Sequence, residues 1–443
     1  MLTIKKELDI HPDYDFSQIA PLSRIVFFDI ETTGLSADRS GLYLIGAVYY
    51  EASAWRLVQW FAESMYDEEE MLAGFFGLLS EKRRAAQKEG GRHANAVLIH
   101  FNGDTFDIPY LRRVIQRYRL PYEFTGVLSL DLYKKIKPYK ALLGLSDCRL
   151  KTVEQFFGIA REDRFNGGEL IYVYEEYLRL SSLDPESCES NEQNQKLREH
   201  LLKTLLLHNE EDMANLPCVC GLLAYDDLFR KQYRFVSASV EELSGKQILD
   251  LKFTFPEALP QELDYEEGPY VLSAGRKENV RKKNVRKENV RKENVRKENA
   301  RKENGDFGTA EKAGDAGQEP ACGFLEVTAE LYEGELKYFF ADYKNYYYLT
   351  AEDYAVHKSV GEFVERKARK QATARTCYQK KTGLFLPQPE NLFLPVFYRE
   401  YKGSVGYAEF TEDMLSDGER LRDYAAALLS RMLKHSGKKQ GRS

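Results

Sequence analysis

Residues 25–31, Ile-Val-Phe-Phe-Asp-Ile-Glu, constrain this chain more than any other stretch of it. The apolar run Ile25 to Phe28 reads as a buried strand of a parallel or mixed sheet. Residues two apart on a strand point to the same face, so Asp29 and Glu31 project together. Two like charges on one side of a buried strand repel and lose hydration. A divalent cation is the natural remedy, and oxygen ligands without a His or Cys cluster favour Mg²⁺ or Mn²⁺ over zinc.

Two more carboxylates stand out downstream, Asp107 in HFNGDTFDIPYL and Asp212 in HNEEDMANL. The order of elements around them is legible. Strands are expected at Arg24–Ile30, Leu42–Tyr50 and Arg56–Ala62, joined by turns short enough for an antiparallel meander. Asp67 then caps a helix with Met71, Leu72, Phe75, Phe76 and Leu79 at helical spacing. Strand Ala96–Phe101 leads to Asp107, and Pro109 opens a helix over Tyr110–Arg119. A further strand ends near Asp131, and helices follow at Leu150–Phe157 and Lys196–Leu223. His208 lies four residues before Asp212, a step that returns to within about 40° on a helix, so the two share a face. A neutral imidazole there could take a proton from water, which makes His208 a candidate general base. Glu210 and Glu211 are expected on the solvated face.

Asp29-Ile30-Glu31 followed by Thr32, Thr33, Gly34 and Leu35, then Asn102 through Phe106 to Asp107, then His208 and Asp212, resembles the motif set of the DEDD (DnaQ-like) 3′–5′ exonucleases. Within that superfamily, LKTVEQFFGIARED, NGGELIYVYEEYL and LHNEEDMANL look most like the YprB-like predicted exonucleases of bacteria. One departure is plain: sister families carry Tyr four residues before the last Asp or His five before it, and here a His takes the Tyr position. The resemblance covers residues 22–225 and implies a ribonuclease-H-like fold. It implies two divalent cations, Mg²⁺ or Mn²⁺, on Asp29, Glu31, Asp107 and Asp212, with His208 completing the catalytic set. Thr32 to Leu35 and Asn102 would then meet the terminal nucleotide. The implied partner is nucleic acid, as a single strand or a 3′ end, and relatives are associated with helicases and DNA repair. A catalytically inactive binding module and a structure-specific endonuclease are the competing readings. The intact carboxylate set opposes the first, and Asp-x-Glu on one strand opposes the second.

The expected fold class is α/β, a ribonuclease-H-like mixed sheet flanked by helices, followed by a β-rich α+β C-terminal domain with a low-complexity insertion. At 443 residues there is length for two domains. The expected boundaries are an N-terminal extension at 1–21, the nuclease-like domain at 22–225, a connector at 226–244, the β-rich domain at 245–412 and a closing helix and basic tail at 413–443. The start, MLTIKKELDIHPDY, lacks an apolar h-region, and no run has the length of a membrane span. Six Cys form neither a zinc spacing nor a disulfide framework, so cytoplasm is the expected compartment.

Residues 276–305 are six tandem pentapeptides of the RKENV type, within an insertion placed at 274–320. Five carry +1 and one +3, so the segment holds +8 in a chain of net −6, and the remainder carries −14. A five-residue period advances about 500° on a helix, so the valines drift around it and bury nothing. A surface insertion is preferred over a mobile arm that touches phosphates. Strand-like segments flank it on both sides. YFFADYKNYYYL, 338–349, holds seven aromatics, and 366–381 adds Arg366, Lys367, Arg369, Lys370, Arg375, Lys380 and Lys381 without an acid. Aromatic platforms beside basic side chains suit single strands. The alternative is a β core of aromatics beside a basic, solvated helix face.

Overall fold

A computed structural model describes residues 1–90, 95–182, 191–276 and 323–440. The chain divides into two compact units, Met1–Leu223 and Ala224–Ser443. Among the described residues no helix is long and apolar enough to cross a membrane.

The first unit is built on six strands, β1 (Leu2–Leu8), β2 (Ile25–Thr32), β3 (Leu42–Glu51), β4 (Ala54–Phe61), β5 (Ala96–His100) and β6 (Val127–Asp131). They lie in the order β1-β4-β3-β2-β5-β6. β2, β3 and β4 form the expected antiparallel meander, while β5 runs parallel to both β2 and β6. β2 therefore sits centrally, and Val26, Phe27 and Phe28 are wholly buried. Alternation divides its side chains between two cores. Val26, Phe28 and Ile30 join a cluster with Leu72, Phe75 and Leu111, whereas Ile25 and Phe27 join one with Met213, Leu216 and Val219. Asp29 and Glu31 share the parity of the second set.

The helices are α1 (Glu68–Gly90), α2 (Asp107–Tyr118), α3 (Leu132–Ile136), α4 (Leu150–Phe156), α5 (Gly167–Ser181) and α6 (Asn191–Val219). α2 begins two residues before the expected start at Pro109, so Asp107 is part of its first turn. Asn166 and Glu169 close a capping box on α5. The single helix expected over Lys196–Leu223 ends at Val219, after Pro217, and gives way to a 3₁₀ turn and α7 (Leu223–Phe229). Residues 1–21, expected as an extension, instead supply an edge strand. Leu2–Leu8 pairs with Trp55–Phe61 of β4, which would otherwise leave its backbone groups open.

The second unit carries a five-stranded antiparallel sheet, made of β7 (Arg234–Leu243), β8 (Lys246–Phe255), β9 (Leu263–Glu267), β10 (Tyr270–Arg276) and β11 (Gly323–Glu330). Residues 226–244, expected as a connector, hold the end of α7 and all of β7. The reason is local: Ser244-Gly245, both at positive φ, makes a tight turn that folds β7 back on β8. Beyond their first residue, Arg276, the RKENV repeats lie outside the described residues. The strands around them are direct neighbours, with Arg276 opposite Gly323. Two small sheets follow. One joins β12 (Tyr332–Phe339), β16 (Tyr378–Gln388) and β17 (Gly406–Glu409); the other joins β13 (Tyr346–Leu349), β14 (Tyr354–His357) and β15 (Arg369–Gln371). A short helix α8 (Lys358–Gly361) and α9 (Gly418–Gln440) complete the unit. The basic run at 366–381 is strand and turn, not a helix face. Within the span expected for the closing helix, 413–443, α9 starts only at Gly418, where Asp417 accepts from the Arg420 N–H at its first turn.

One position ties α6 to the sheet. Gly46 of β3 stands opposite Asp29, and a Cβ there would meet Asn209 Oδ1 at 2.1 Å and Met213 Cγ at 2.8 Å. Gly46→Val is expected to destabilise the protein by roughly 1–3 kcal/mol through overpacking, read as a lower midpoint in urea unfolding. A variant as stable as wild type would show that α6 does not press on β3 there.

Candidate metal and nuclease site

Asp29 and Glu31 end the central strand, Asp107 opens α2, and His208 and Asp212 lie one turn apart on α6. The fold brings all five to one place. Glu31, Asp107 and His208 are buried, and Asp212 retains 17% side-chain exposure. Burial pushes the Asp29 carboxyl well above the ordinary range, and the charges of Asp107, Glu31 and Asp212 push it further. Glu31 is raised likewise, by burial first and then by Asp212, Asp107 and Asp163. Burial lifts Asp107 to about 7, against the pull of backbone amides at Asp107 and Ile30. Ligand atoms of Glu31, His208 and Asp212 all lie within 4.8 Å of one another. Asp29 and Asp107 stand within electrostatic reach but outside that tighter group.

The surroundings of α6 decide how these groups are held. Asn209 accepts from Gln59 Nε2 at 3.0 Å, which turns its own amide toward Asp29 Oδ2 at 3.4 Å. Arg161, on the loop between α4 and α5, contacts Asp212 Oδ1 at 2.5 Å and both oxygens of Glu154 at 3.0 Å. The Asp212 contact is charge against charge rather than an aligned hydrogen bond. Burial acts to lower the Arg161 pKa, but Asp212 and Glu154 outweigh it and drive it up. Asp163, on the same loop, lies 2.7 Å from His208 Nδ1 and takes a hydrogen bond from Lys151 at 2.9 Å. Burial would raise the Asp163 carboxyl, yet Lys151 and His208 hold it below the usual range. Glu211 is not on a solvated face as expected: its carboxylate accepts from the backbone N–H groups of Glu162 and Asp163 and anchors this loop. Glu210 pairs with Lys6 of β1. Tyr43, buried and stacked on Tyr174, stands beside Glu31 and Asp29, and burial keeps its hydroxyl protonated.

The other expected contact residues fall into three groups. Thr32 Oγ1 donates to Gly34 O, and Thr33 Oγ1 accepts from Gly41 N, so both hydroxyls brace the loop that follows Glu31. That loop lifts Leu35 into solvent at 88% exposure. Asn102 has a positive φ of 68° and accepts from Thr105 Oγ1, so it shapes the turn before Asp107. Asp131 supports the same turn, since its Oδ1 accepts from the N–H groups of Asn102 and Tyr133. Gly103 is required there, because a Cβ would meet His100 Nδ1 at 2.7 Å and Asp107 Oδ2 at 3.0 Å.

In the second unit, Arg366, Lys367 and Lys370 are exposed, and the Arg369 guanidinium lies 4.6 Å from the centre of the Tyr347 ring. The aromatics of 338–349 are half-buried and pack on one another and on rings of the neighbouring strands and loops, as in the Phe340–Tyr346 stack at 4.6 Å and the contacts of Phe339 and Tyr348 with Tyr378.

The residues missed by sequence reasoning are Arg161, Asp163, Glu154, Asn209 and Tyr43. Arg161 and Asp163 stood inside a quoted motif, GIARED, but no spacing rule connects that loop to α6.

Residues 26–224 match the model of the RNase_H superfamily. No curated protein matches the chain. Among solved structures, exonuclease I is 13% identical over 57% of this chain and 55% of its own, with a TM-score of 0.22. The chain thus spans little more than half of exonuclease I. The catalytic domain of Mos1 mariner transposase is 15% identical over 45% of this chain and 86% of its own, at a TM-score of 0.15. The family match and the mixed sheet make the first unit ribonuclease-H-like in fold.

The raised carboxyls have a consequence for stability. A carboxyl with a folded pKa above its unfolded value contributes stability that is complete below about pH 4 and is lost as pH rises through the folded pKa. In chelator-treated protein, Tm is therefore expected to fall between pH 5.5 and 8 more steeply for wild type than for Asp107→Asn, whose group at about 7 no longer titrates. Equal slopes in thermal melts would remove Asp107 from the strained acidic set.

Proposed function

We propose that the protein is a metal-dependent nuclease that hydrolyses phosphodiester bonds from the 3′ end of nucleic acid. The observation that carries this reading is the convergence of Asp29, Glu31, Asp107 and Asp212, with three carboxyls raised by burial and two of these, Asp29 and Glu31, raised further by the charges of their neighbours. Arg161 is shared among Asp212, Glu154, Glu211 and Asp163, so most of the negative charge on β2 and α2 remains uncompensated. Hard divalent cations fit such oxygen donors, and these four residues would hold two of them, Mg²⁺ or Mn²⁺. Cations so held supply positive charge to the reacting phosphate and make water a better nucleophile.

The protein's own groups supply the rest. The loop braced by Thr32 and Thr33 presents Leu35 as an apolar face for a terminal base, next to the strand end that carries Glu31. Beside it, Thr33, Leu42, Met65, Glu68 and Tyr174 line a cleft of about 140 Å³. Asn102 fixes the turn that aims Asp107, and His208 stands over the cluster from α6. Arg369 stacked on Tyr347, with exposed Arg366, Lys367 and Lys370, offers a single strand both phosphate contacts and a ring face. The resemblance of the motif set to the YprB-like predicted exonucleases, whose relatives are associated with helicases and DNA repair, supports a cytoplasmic role of that kind. The four described cysteines are free thiols, consistent with that compartment.

The test uses 5′-labelled linear DNA and RNA oligonucleotides beside a circular single strand, with Mg²⁺ or Mn²⁺. Linear substrates are expected to shorten from the 3′ end while circles survive; cut circles would establish an endonuclease instead. Asp29→Asn or Asp212→Asn is expected to lower the rate by more than about 10³-fold, equivalent to several kcal/mol of lost charge stabilisation. Chelation should abolish it. Wild-type rates in either variant would sink the assignment.

A further inference from the structure

His208 is held in one orientation. Its Nδ1 lies 2.7 Å from Asp163 Oδ2, a carboxylate with 1% side-chain exposure that is also fixed by Lys151 and by the Phe165 N–H. The Nδ1 proton is thereby committed to Asp163, and Nε2 is the open position of the ring. Nε2 makes no hydrogen bond among the described residues, although His208 is only 6% exposed. It points at Glu31 Oε1, 3.6 Å away, and at Asp212 Oδ2, 3.8 Å away.

Those distances discriminate between uses of the nitrogen. They are too long for a hydrogen bond, which needs about 2.7–3.2 Å between N and O. They match the separation of neighbouring ligands around one ion. With bonds of about 2.1–2.3 Å, ligands at right angles lie roughly 3.0–3.3 Å apart, and wider angles stretch this toward 4 Å. Asp212 is divided in the same sense: Oδ1 is taken by Arg161, and Oδ2 faces His208. Each of the two α6 residues is thus gripped from behind by the α4–α5 loop, with one atom left facing inward. A carboxylate behind a ligating imidazole is how proteins orient a histidine on a metal. The four-residue step from His208 to Asp212 also gains a reason, since it puts both inward atoms on one side of α6.

We propose that Glu31 Oε1, His208 Nε2 and Asp212 Oδ2 are three ligands of one divalent transition-metal cation, with Asp163 and Arg161 as positioning residues behind His208 and Asp212. The proposal deepens the metal-centre reading above and rests on it, but not on the direction of cleavage. It makes His208 a ligand instead of a general base. An imidazole ligand suits Mn²⁺ or its neighbours better than Mg²⁺, which prefers six oxygens.

The experiment is Mn²⁺ titration of the full chain by electron paramagnetic resonance, with pulsed detection of nitrogen coupling. Bound Mn²⁺ in wild type should show a ¹⁴N coupling that becomes a ¹⁵N coupling when histidine alone is ¹⁵N-labelled. His208→Ala should lose that coupling and bind Mn²⁺ at least tenfold more weakly. Asp163→Asn should keep a nitrogen coupling of altered size and lose about 10–100-fold in affinity; a merely structural role for Asp163 would leave the coupling as it is. The wild-type spectrum decides the central point even if a variant fails to fold. Bound Mn²⁺ without a histidine nitrogen, no Mn²⁺ binding at all, or wild-type affinity in a folded His208→Ala would each overturn the proposal. A histidine coupling in a protein that hydrolyses no oligonucleotide would uphold the metal site and refute the nuclease reading.

Discussion

Mutual repulsion among buried carboxylates at the end of β2 is the constraint on which the rest of the first unit depends. Two unit charges 4 Å apart interact by about 4 kcal/mol at an effective dielectric of 20, a large part of a domain's whole stability. Asp107, Glu31 and Asp212 all press on Asp29, and Asp212 and Asp107 press on Glu31. Such a cluster persists only where the scaffold around it is well packed. The two aromatic and aliphatic cores on either face of β2 supply that packing, with Phe27 and Phe28 wholly buried on opposite sides.

The α4–α5 loop is the second determinant. It puts Arg161 among four carboxylates and Asp163 against the His208 ring, while Glu211 holds the loop backbone in return. These contacts are reciprocal: α6 orders the loop, and the loop orients the α6 side chains that face the strand end. Removal of one charge from such a network costs more than the pair is worth, because the remaining charges stay buried. The capping box of Asn166 and Glu169 fixes where the loop ends and α5 begins. Asn209, held by Gln59, reaches Asp29 from the adjoining face of α6.

The second unit follows a different logic. Its aromatic residues satisfy one another first: Tyr348 and Tyr378 both donate to Asp353, and Phe340 stacks on Tyr346. Only part of that surface is left for a partner, chiefly around Tyr347, where Arg369 and Lys358 both lie over the ring. The pentapeptide repeats enter between two strands that are already hydrogen-bonded neighbours. An insertion at such a point leaves the ladder on either side intact, since the strand ends already meet and loop length costs little.

Periodicity by itself determined a good deal. The period of two placed Asp29 and Glu31 on one face of a buried strand, and the period of 3.6 placed His208 and Asp212 on one side of a helix. The β2–β4 meander, α1 and the strands flanking the repeats were legible for the same reason: alternation and helical spacing are written along the chain. What the fold alone decided are the contacts between segments distant in sequence. Nothing near Arg161 or Asp163 signals that they reach α6, some 45 to 51 residues on. Glu211 looked solvated because a charged residue between two others, Glu210 and Asp212, on a helix usually is. Leu2–Leu8 looked like an extension because its partner strand lies more than 45 residues away. A basic run without periodicity could not announce itself as strand and turn. Local pattern reports which face a side chain takes; which other face it meets is set by the path of the whole chain, and that is a tertiary fact.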